Sequence, residues 1–215
     1  MEKIFLYLDT GSDLFFSLFK ERGEVIDTFH VEEKKMAMKV HFYLHHFLTK
    51  NMIKDINSLD SLYVAHGPGS YTGLRIAYGL SSILDYFGIG SSSFYYHHLL
   101  LELEYPCLFL TKAFKGEYFL AFSEEGVLRE MLLKESEIKP FLDASQKKIF
   151  CLTESDKAFL QKSCFLVDEA ELIRPFLFKV ESWPKLLSKI SSRNLLPPFY
   201  FREAELEFRV SPHGK

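Results

Sequence analysis

Three glycines and a proline crowd into seven residues, Gly67-Pro68-Gly69-Ser70-Tyr71-Thr72-Gly73, between two runs of different period. Before them, SLYVAHG (Ser61 to Gly67) has the short apolar pattern of a buried strand. After them, Thr72 to Phe87 repeats at helical spacing and is closed by Gly88. A chain that passes from strand to helix so abruptly needs φ > 0 and close backbone approach, which glycine supplies without steric cost. Thr72 is the expected cap of the helix. The spacing G-x-G-x-x-x-G fits a phosphate cradle at a helix N-terminus, but by itself it favours a tight strand-to-helix turn.

The segments before the loop limit the fold further. KIFLYL (Lys3 to Leu8), DLFFSLF (Asp13 to Phe19) and EVIDTFHV (Glu24 to Val31) read as a meander of three strands joined by TGS and ERG turns. From Met36 the period changes: Met36, Val40, Tyr43, Leu44, Phe47 and Leu48 share one helical face, and this helix ends near Asn51. The order βββαβα suits a ribonuclease-H-like lobe with a mixed sheet, although order alone fits several α/β folds. The second half offers strands at Cys107 to Thr111, Glu117 to Phe122, Val127 to Leu133, Lys148 to Thr153 and Cys164 to Val167. Helices are expected near Ser136 to Leu142, Ser155 to Lys162 and Trp183 to Ser192. A second, smaller α/β lobe follows from this, with Tyr105-Pro106 as the boundary and a tail from Asn194 whose PPFYFR returns to an apolar surface.

Composition removes several function classes. With 47% hydrophobic residues, 22 Phe and 11 Tyr, the chain fills a core and is not disordered. A net charge of −3 leaves no chain-wide positive field to hold a phosphate backbone, and Lys34-Lys35 and Lys147-Lys148 form no basic stripe. Cys107, Cys151 and Cys164 are odd in number and contain no CxxC pair, which points to free thiols in a reducing compartment. The opening MEKIFLYLDTGSD is too short in apolar residues for a signal-peptide core, and Gly79 to Leu101 is too polar for a membrane span. A cytoplasmic protein without a membrane partner is expected.

Read as a whole string, GPGSYTGLRI (Gly67 to Ile76) closely resembles the loop-and-helix signature of the TsaB (YeaZ-type) family of tRNA threonylcarbamoyladenosine biosynthesis proteins. Three further segments agree in order. IFLYLDT resembles the family's first strand ending in Asp9-Thr10, AFKGEYFLAF (Ala113 to Phe122) its arginine-rich turn and following strand, and PPFYFR (Pro197 to Arg202) its C-terminal Pro-x-Tyr-x-Arg segment. Lys112 stands where the family usually has Asp, and Phe114 replaces a basic residue. The resemblance implies a two-lobed actin-like ATPase (ASKHA) fold, with lobes at residues 1–104 and 105–192, the second reduced, and the tail 193–215 packed back on the first. It also implies a non-catalytic scaffold that pairs with the catalytic subunit TsaD through its first two helices, or with a second copy of itself, and assembles with the ATPase TsaE. ATP and threonylcarbamoyl-adenylate are then used by the partners, tRNA is met only through the complex, and the chain needs no cofactor of its own.

Asp9 admits other readings. A strand ending in Asp-Thr-Gly also opens aspartic proteases, where two such carboxylates share a proton; one copy here would require a homodimer, and the chain is too helical for that class. In actin-like ATPases and sugar kinases an Asp at this place helps position magnesium and phosphate, but no second glycine-rich acidic loop follows in the other lobe. An ATP-dependent phosphotransferase or a peptidase using Asp9 is the alternative function. Among eight histidines, His41/His45 and His98/Glu102 have i,i+4 spacing. HHLLLE (His97 to Glu102) resembles the HHxxxH metal segment of TsaD, but no matching Asp occurs in residues 193–215, so no metal is assigned.

The helix after the glycine loop carries only Arg75 and Asp85 as charges. Leu74, Ala77, Ser81 and Leu84 form a stripe for the sheet; Ile76, Leu80, Ile83 and Phe87 form another, with Gly79 and Ser82 as a small-residue notch. A helix apolar nearly all round must be covered twice, by a partner or by the chain's own second lobe. Together with Phe42 and Tyr43 beside the first helix's main stripe, the partner reading nominates Met36, Val40, Tyr43, Phe47, Arg75, Ile76, Gly79, Ser82 and Ile83 as the interface.

Overall fold

The computed structural model of the 215-residue chain describes residues 2–31, 39–103, 106–114, 116–145, 147–164, 170–179, 183–191 and 194–201. The first lobe runs β1 (Ile4–Asp9), β2 (Leu14–Lys20), β3 (Val25–Val31), α1 (Val40–Lys50), β4 (Ser61–Ala65), α2 (Tyr71–Tyr86) and β5 (Ser91–Phe94). A 3-10 segment, Tyr96–Leu101, leads into the second: β6 (Cys107–Phe114), β7 (Glu117–Glu124), β8 (Val127–Lys134), α3 (Glu135–Asp143), β9 (Lys148–Cys151), α4 (Glu154–Cys164), β10 (Ala170–Leu172), α5 (Ile173–Lys179) and α6 (Trp183–Ile190).

The strand orders are β3-β2-β1-β4-β5 and β10-β9-β6-β7-β8. In each lobe an antiparallel three-strand meander is extended by two parallel strands on the side of its first strand, so the two lobes have the same mixed-sheet topology. This duplicated α/β plan is the two-lobed, ribonuclease-H-like arrangement of actin-like ATPases. The second lobe keeps all five strands, but β9 and β10 are only four and three residues long.

Alternation along the strands explains how the lobes join. On β1, Leu6 and Leu8 face a core shared with α1 and α2, while Tyr7 faces the other way; β4 does the same with Leu62 and Val64 against Ala65. In the second lobe Leu108, Leu110 and Leu120 face the α3 and α4 side, and Phe109, Phe119 and Ala121 face away. The two inward-turned faces meet in one apolar seam that also takes in Phe94, Tyr96, Phe150, Ile173, Leu177, Trp183 and Leu187. Strands β1, β2, β6 and β7 are therefore buried on both sides and read as nearly continuous apolar runs, whereas β3 and β8 at the sheet edges alternate with exposed residues.

Several expectations are corrected at the ends of elements. The cap of α2 is Ser70, whose side chain faces the Gly73 N–H, and Thr72 lies inside the first turn. Described α1 begins at Val40; Met36 lies outside the described residues, as do Tyr105 and Arg202. Cys164 ends α4 instead of opening a strand, residues 165–167 lie outside the described residues, and the strand on that side is β10. The closure of α2 is as expected: Gly88 at φ +89° lets its own N–H reach Asp85 O and the Ile89 N–H reach Leu84 O, while Ile89 and Leu84 share the first-lobe core. Among the described residues, no helix is long and apolar enough to cross a membrane.

Candidate functional site

Two parts of the surface answer to the sequence: the cleft where Asp9 meets the glycine loop, and the outer face of α1 and α2. In the cleft the β1–β2 turn and the glycine loop are pressed together. The Ser70 N–H donates to Gly11 O at 2.5 Å, and Thr10 Oγ1 donates to Gly73 O at 2.7 Å. A Cβ on Gly69 would lie 2.6 Å from Gly11 Cα, and one on Gly73 only 1.9 Å from Thr10 O. These glycines serve the contact between two backbone segments. Gly67, at φ +121°, lies under the returning tail, where its Cβ would meet Phe199 at 3.0 Å. Beside the loop, Gly11, Ser12, Gly69 and Ser70 line a cavity of about 650 Å3 with Lys112, Thr153, Asp156 and Lys162 of the second lobe. Asp156 is spoken for: its carboxylate accepts from Thr111 Oγ1, the Lys112 N–H and both the N–H and Oγ1 of Thr153, and the Asp156 N–H donates back to Thr153 Oγ1, a reciprocal cap on α4.

Asp9, at the end of β1, is completely buried and fully engaged. The Gly11 N–H donates to Oδ1 at 2.7 Å, the Tyr96 hydroxyl to Oδ2 at 2.5 Å, and Arg174 Nε to Oδ2 at 2.9 Å, with a second Arg174 nitrogen beside it. The Tyr7 hydroxyl sits 2.6 Å from that of Tyr96 and extends the chain of polar groups into the seam. Burial, then the Asp9 charge, raises the Tyr96 phenol far above its ordinary value, so it stays protonated and donates. Arg174 comes from α5 of the other lobe; it also reaches Asp13 at 2.6 Å and Ser12 Oγ at 3.2 Å, and His30 closes on the other Asp13 oxygen. Burial acts against the Arg174 charge, but Asp9 and Asp13 hold it above its ordinary value; Asp13, despite partial burial, is drawn down to about 2 by Arg174. A second cavity of about 790 Å3 opens on this cluster between Phe15, Leu172 and Phe178.

The tail docks on the same loop. His66 Nδ1 is 2.7 Å from Leu196 O, the Phe199 N–H donates to His66 O at 2.8 Å, and the Leu196 N–H donates to Ser93 Oγ at 2.7 Å. Burial depresses the His66 pKa to about 4, so the ring is neutral and its Nδ1–H donates to the carbonyl. The folded form resists protonation that the unfolded chain accepts near 6.5. The stability this holds is complete above pH 6.5 and is lost as pH falls toward about 4, roughly 3 kcal/mol over that window. Urea midpoints measured between pH 7 and 4 are expected to show this proton uptake on unfolding, and His66→Asn, which keeps a donor for Leu196 O, to remove most of it.

On the helical face, the nominated residues separate. Val40 and Phe47 are 5% and 0% exposed and belong to the first-lobe core, because α1 covers the sheet with its widest apolar stripe; they cannot meet a partner. Tyr43 and Ile76 are half-buried against that core, with Tyr43 5.5 Å from the Phe29 ring. Arg75 lies exposed over Tyr71, Ile83 is 54% exposed, and Gly79 and Ser82 face outward, with nothing within 4 Å of a Cβ on Gly79. The sheet-facing stripe of α2, Leu74, Ala77, Ser81 and Leu84, is buried as its spacing requires. Around the exposed residues stand Phe42 and Phe87, which the helical spacing already placed outside the sheet-facing stripes, and the structure adds Tyr78 and Tyr86, with Tyr86 and Phe87 86% and 66% exposed. Tyr78, Ser82 and Tyr86 recur every fourth residue, a signal that reading for the apolar stripe alone passes over.

Among the described residues the histidines form no centre. His41 and His45 are exposed on α1, Glu102 is held by Lys189, and His97 faces Glu130 at 3.0 Å. Among the described residues, no group of three His, Cys, Asp or Glu is placed to hold a metal ion.

No family model and no curated protein matches the sequence. Among solved structures, the fold matches an uncharacterized protein with similarity to peptidase YeaZ from Pseudomonas aeruginosa. The match has a TM-score of 0.62 and 14% identity, over 93% of this chain and all of that one. It also matches YeaZ from Pseudomonas aeruginosa, with a TM-score of 0.59 and 15% identity over 87% of this chain and 91% of the other. At such identity these likenesses establish the fold.

Proposed function

We propose that the chain is a YeaZ-type (TsaB) scaffold subunit in the formation of N6-threonylcarbamoyladenosine in tRNA. It binds and stabilises the catalytic subunit TsaD and assembles with TsaE in the cytoplasm. Supporting this are the glycine-loop string and the near-complete match in fold to YeaZ. The observation that carries it is the outer face of α2, where Tyr78, Ile83, Tyr86 and Phe87 stand exposed around the Gly79 notch and the described residues of the chain's own second lobe leave them uncovered. Covering that face with an equivalent helix pair of TsaD, or of a second copy, buries it in a helical bundle. The chain acts without chemistry of its own, in keeping with an Asp9 already saturated by internal donors.

The test is association of the purified chain with TsaD from the same organism. Gly79→Asp sets a charge in open space on the docking face, so the chain folds normally while the complex weakens by at least 100-fold, about 3 kcal/mol. Undiminished association of Gly79→Asp and of Ile83→Asp overturns the docking face. Turnover of ATP or cleavage of peptide by the purified chain, lost in Asp9→Ala, favours the enzyme reading instead.

A further inference from the structure

We infer that Arg174 is a built-in substitute for the divalent cation of the actin-like cleft, closing the Asp9 site to a metal–nucleotide and tying the two lobes to one another. The fold implies magnesium and a nucleotide near Asp9, and the residues present do not fit them. Asp9 Oδ2 takes Tyr96 and the forked face of Arg174, and Oδ1 takes the Gly11 N–H. The guanidinium comes from α5, 165 residues along the chain from Asp9, and is itself nearly buried, so the bond crosses the cleft. The backbone on the phosphate side is also committed, since the Ser70 N–H is spent on Gly11 O and the loops touch at Gly69 and Gly73.

The charges make the same point. Asp9 and Asp13 carry two negative charges toward one guanidinium, and the hydroxyls of Tyr96 and Ser12 stand beside them. Without the arginine the remainder is a set of hard oxygen ligands, two of them carboxylates, suited to Mg2+ or Mn2+. A single substitution therefore uncovers a cation site in place of an ion pair. The inference concerns this cleft alone and stands whether or not the chain has a partner.

The experiment titrates Mn2+ into the full-length wild-type protein, Arg174→Met and Asp9→Asn/Arg174→Met by calorimetry, with melting temperatures in parallel. The wild type takes up no Mn2+ saturably at 1 mM or below. Arg174→Met strands a buried carboxylate and melts roughly 10 °C lower. It binds one Mn2+, which restores part of the loss. The double variant recovers at least half of the loss and binds none. Saturable Mn2+ binding by the wild type that Asp9→Asn abolishes overturns the inference. So does an Arg174→Met protein that takes up no Mn2+, whether or not its melting shifts. If Arg174→Met fails to fold, the charge-neutral double variant decides: folding like the wild type supports the substitution of cation by arginine, and failing equally overturns it.

Discussion

Gly73→Ala is expected to disrupt the first lobe, destabilising the protein by about 4 kcal/mol or more, the range reached when an added atom has nowhere to go. The new Cβ would lie 1.9 Å from Thr10 O and 3.0 Å from Thr10 C, both backbone atoms. Neither can rotate aside, because Thr10 follows the central strand β1 and its hydroxyl is already bonded to Gly73 O. Relief means parting the β1–β2 turn from α2, which exposes Asp9 and breaks the Ser70–Gly11 bond. Gly79→Ala on the same helix is the control. Its Cβ meets nothing within 4 Å, so exchanging the poorer helix former for the better is worth roughly 0.5–1 kcal/mol of added stability. Urea unfolding followed by circular dichroism separates the two, and a Gly73→Ala midpoint equal to the wild type would remove the steric account of the loop.

Trp183→Ala is expected to cost about 3–5 kcal/mol, near the top of the range for a core truncation. The indole is 1% exposed on α6, its ring centre lies 3.8 Å from that of Phe19 and 4.8 Å from that of Phe178, and its N–H reaches Gly23 O at 3.3 Å. It thus ties the last helix to the first lobe across the seam. Truncation opens a cavity between elements that already pack on both sides, so collapse recovers little of the loss. For a chain of this size the melting temperature is expected to fall by roughly 10 °C, and Trp183→Phe, which keeps the ring contact but not the N–H, by less than half of that. A fall of under 2 °C for Trp183→Ala would mean that the seam does not hold the lobes together. As the single tryptophan, Trp183 also reports on that seam in the wild type by its fluorescence.

Both effects sit in parts of the chain that differ in how plainly the sequence announces them. The glycine loop is visible as a string, because only glycine tolerates both the positive φ at Gly67 and the contact at Gly73. By contrast β5 is written SSSF, with none of the alternation of a strand, since Ser91 and Ser93 are buried by hydrogen bonding instead of apolar contact: Ser91 Oγ donates to Ser81 O and Ser93 Oγ accepts from Leu196 N. The helix α5, IRPFLFK, is too short to show a period and contains a proline in its first turn, where a missing N–H does no harm. No local pattern therefore marks its Arg174.

The outer helical face shows the division within a single helix. Spacing on α2 separates Leu74, Ala77, Ser81 and Leu84 from the residues opposite, and that separation holds in the folded chain. On α1 the apolar residues Val40 and Phe47 are indistinguishable by type from a partner-binding pair, and only their burial in the first-lobe core, with Phe47 against the rings of Phe16 and Phe29, assigns them to it.

Period, turn chemistry and glycine spacing are properties of neighbouring residues, so the sequence by itself determined the order of most strands and helices, the two lobes and the loop at Gly67 to Gly73. The partner of Asp9 was decided only by tertiary structure. The affinity of a carboxylate for a metal or for a guanidinium depends on what the fold brings within about 3 Å of it, and Arg174 reaches that distance from the far side of a cleft that local pattern does not describe.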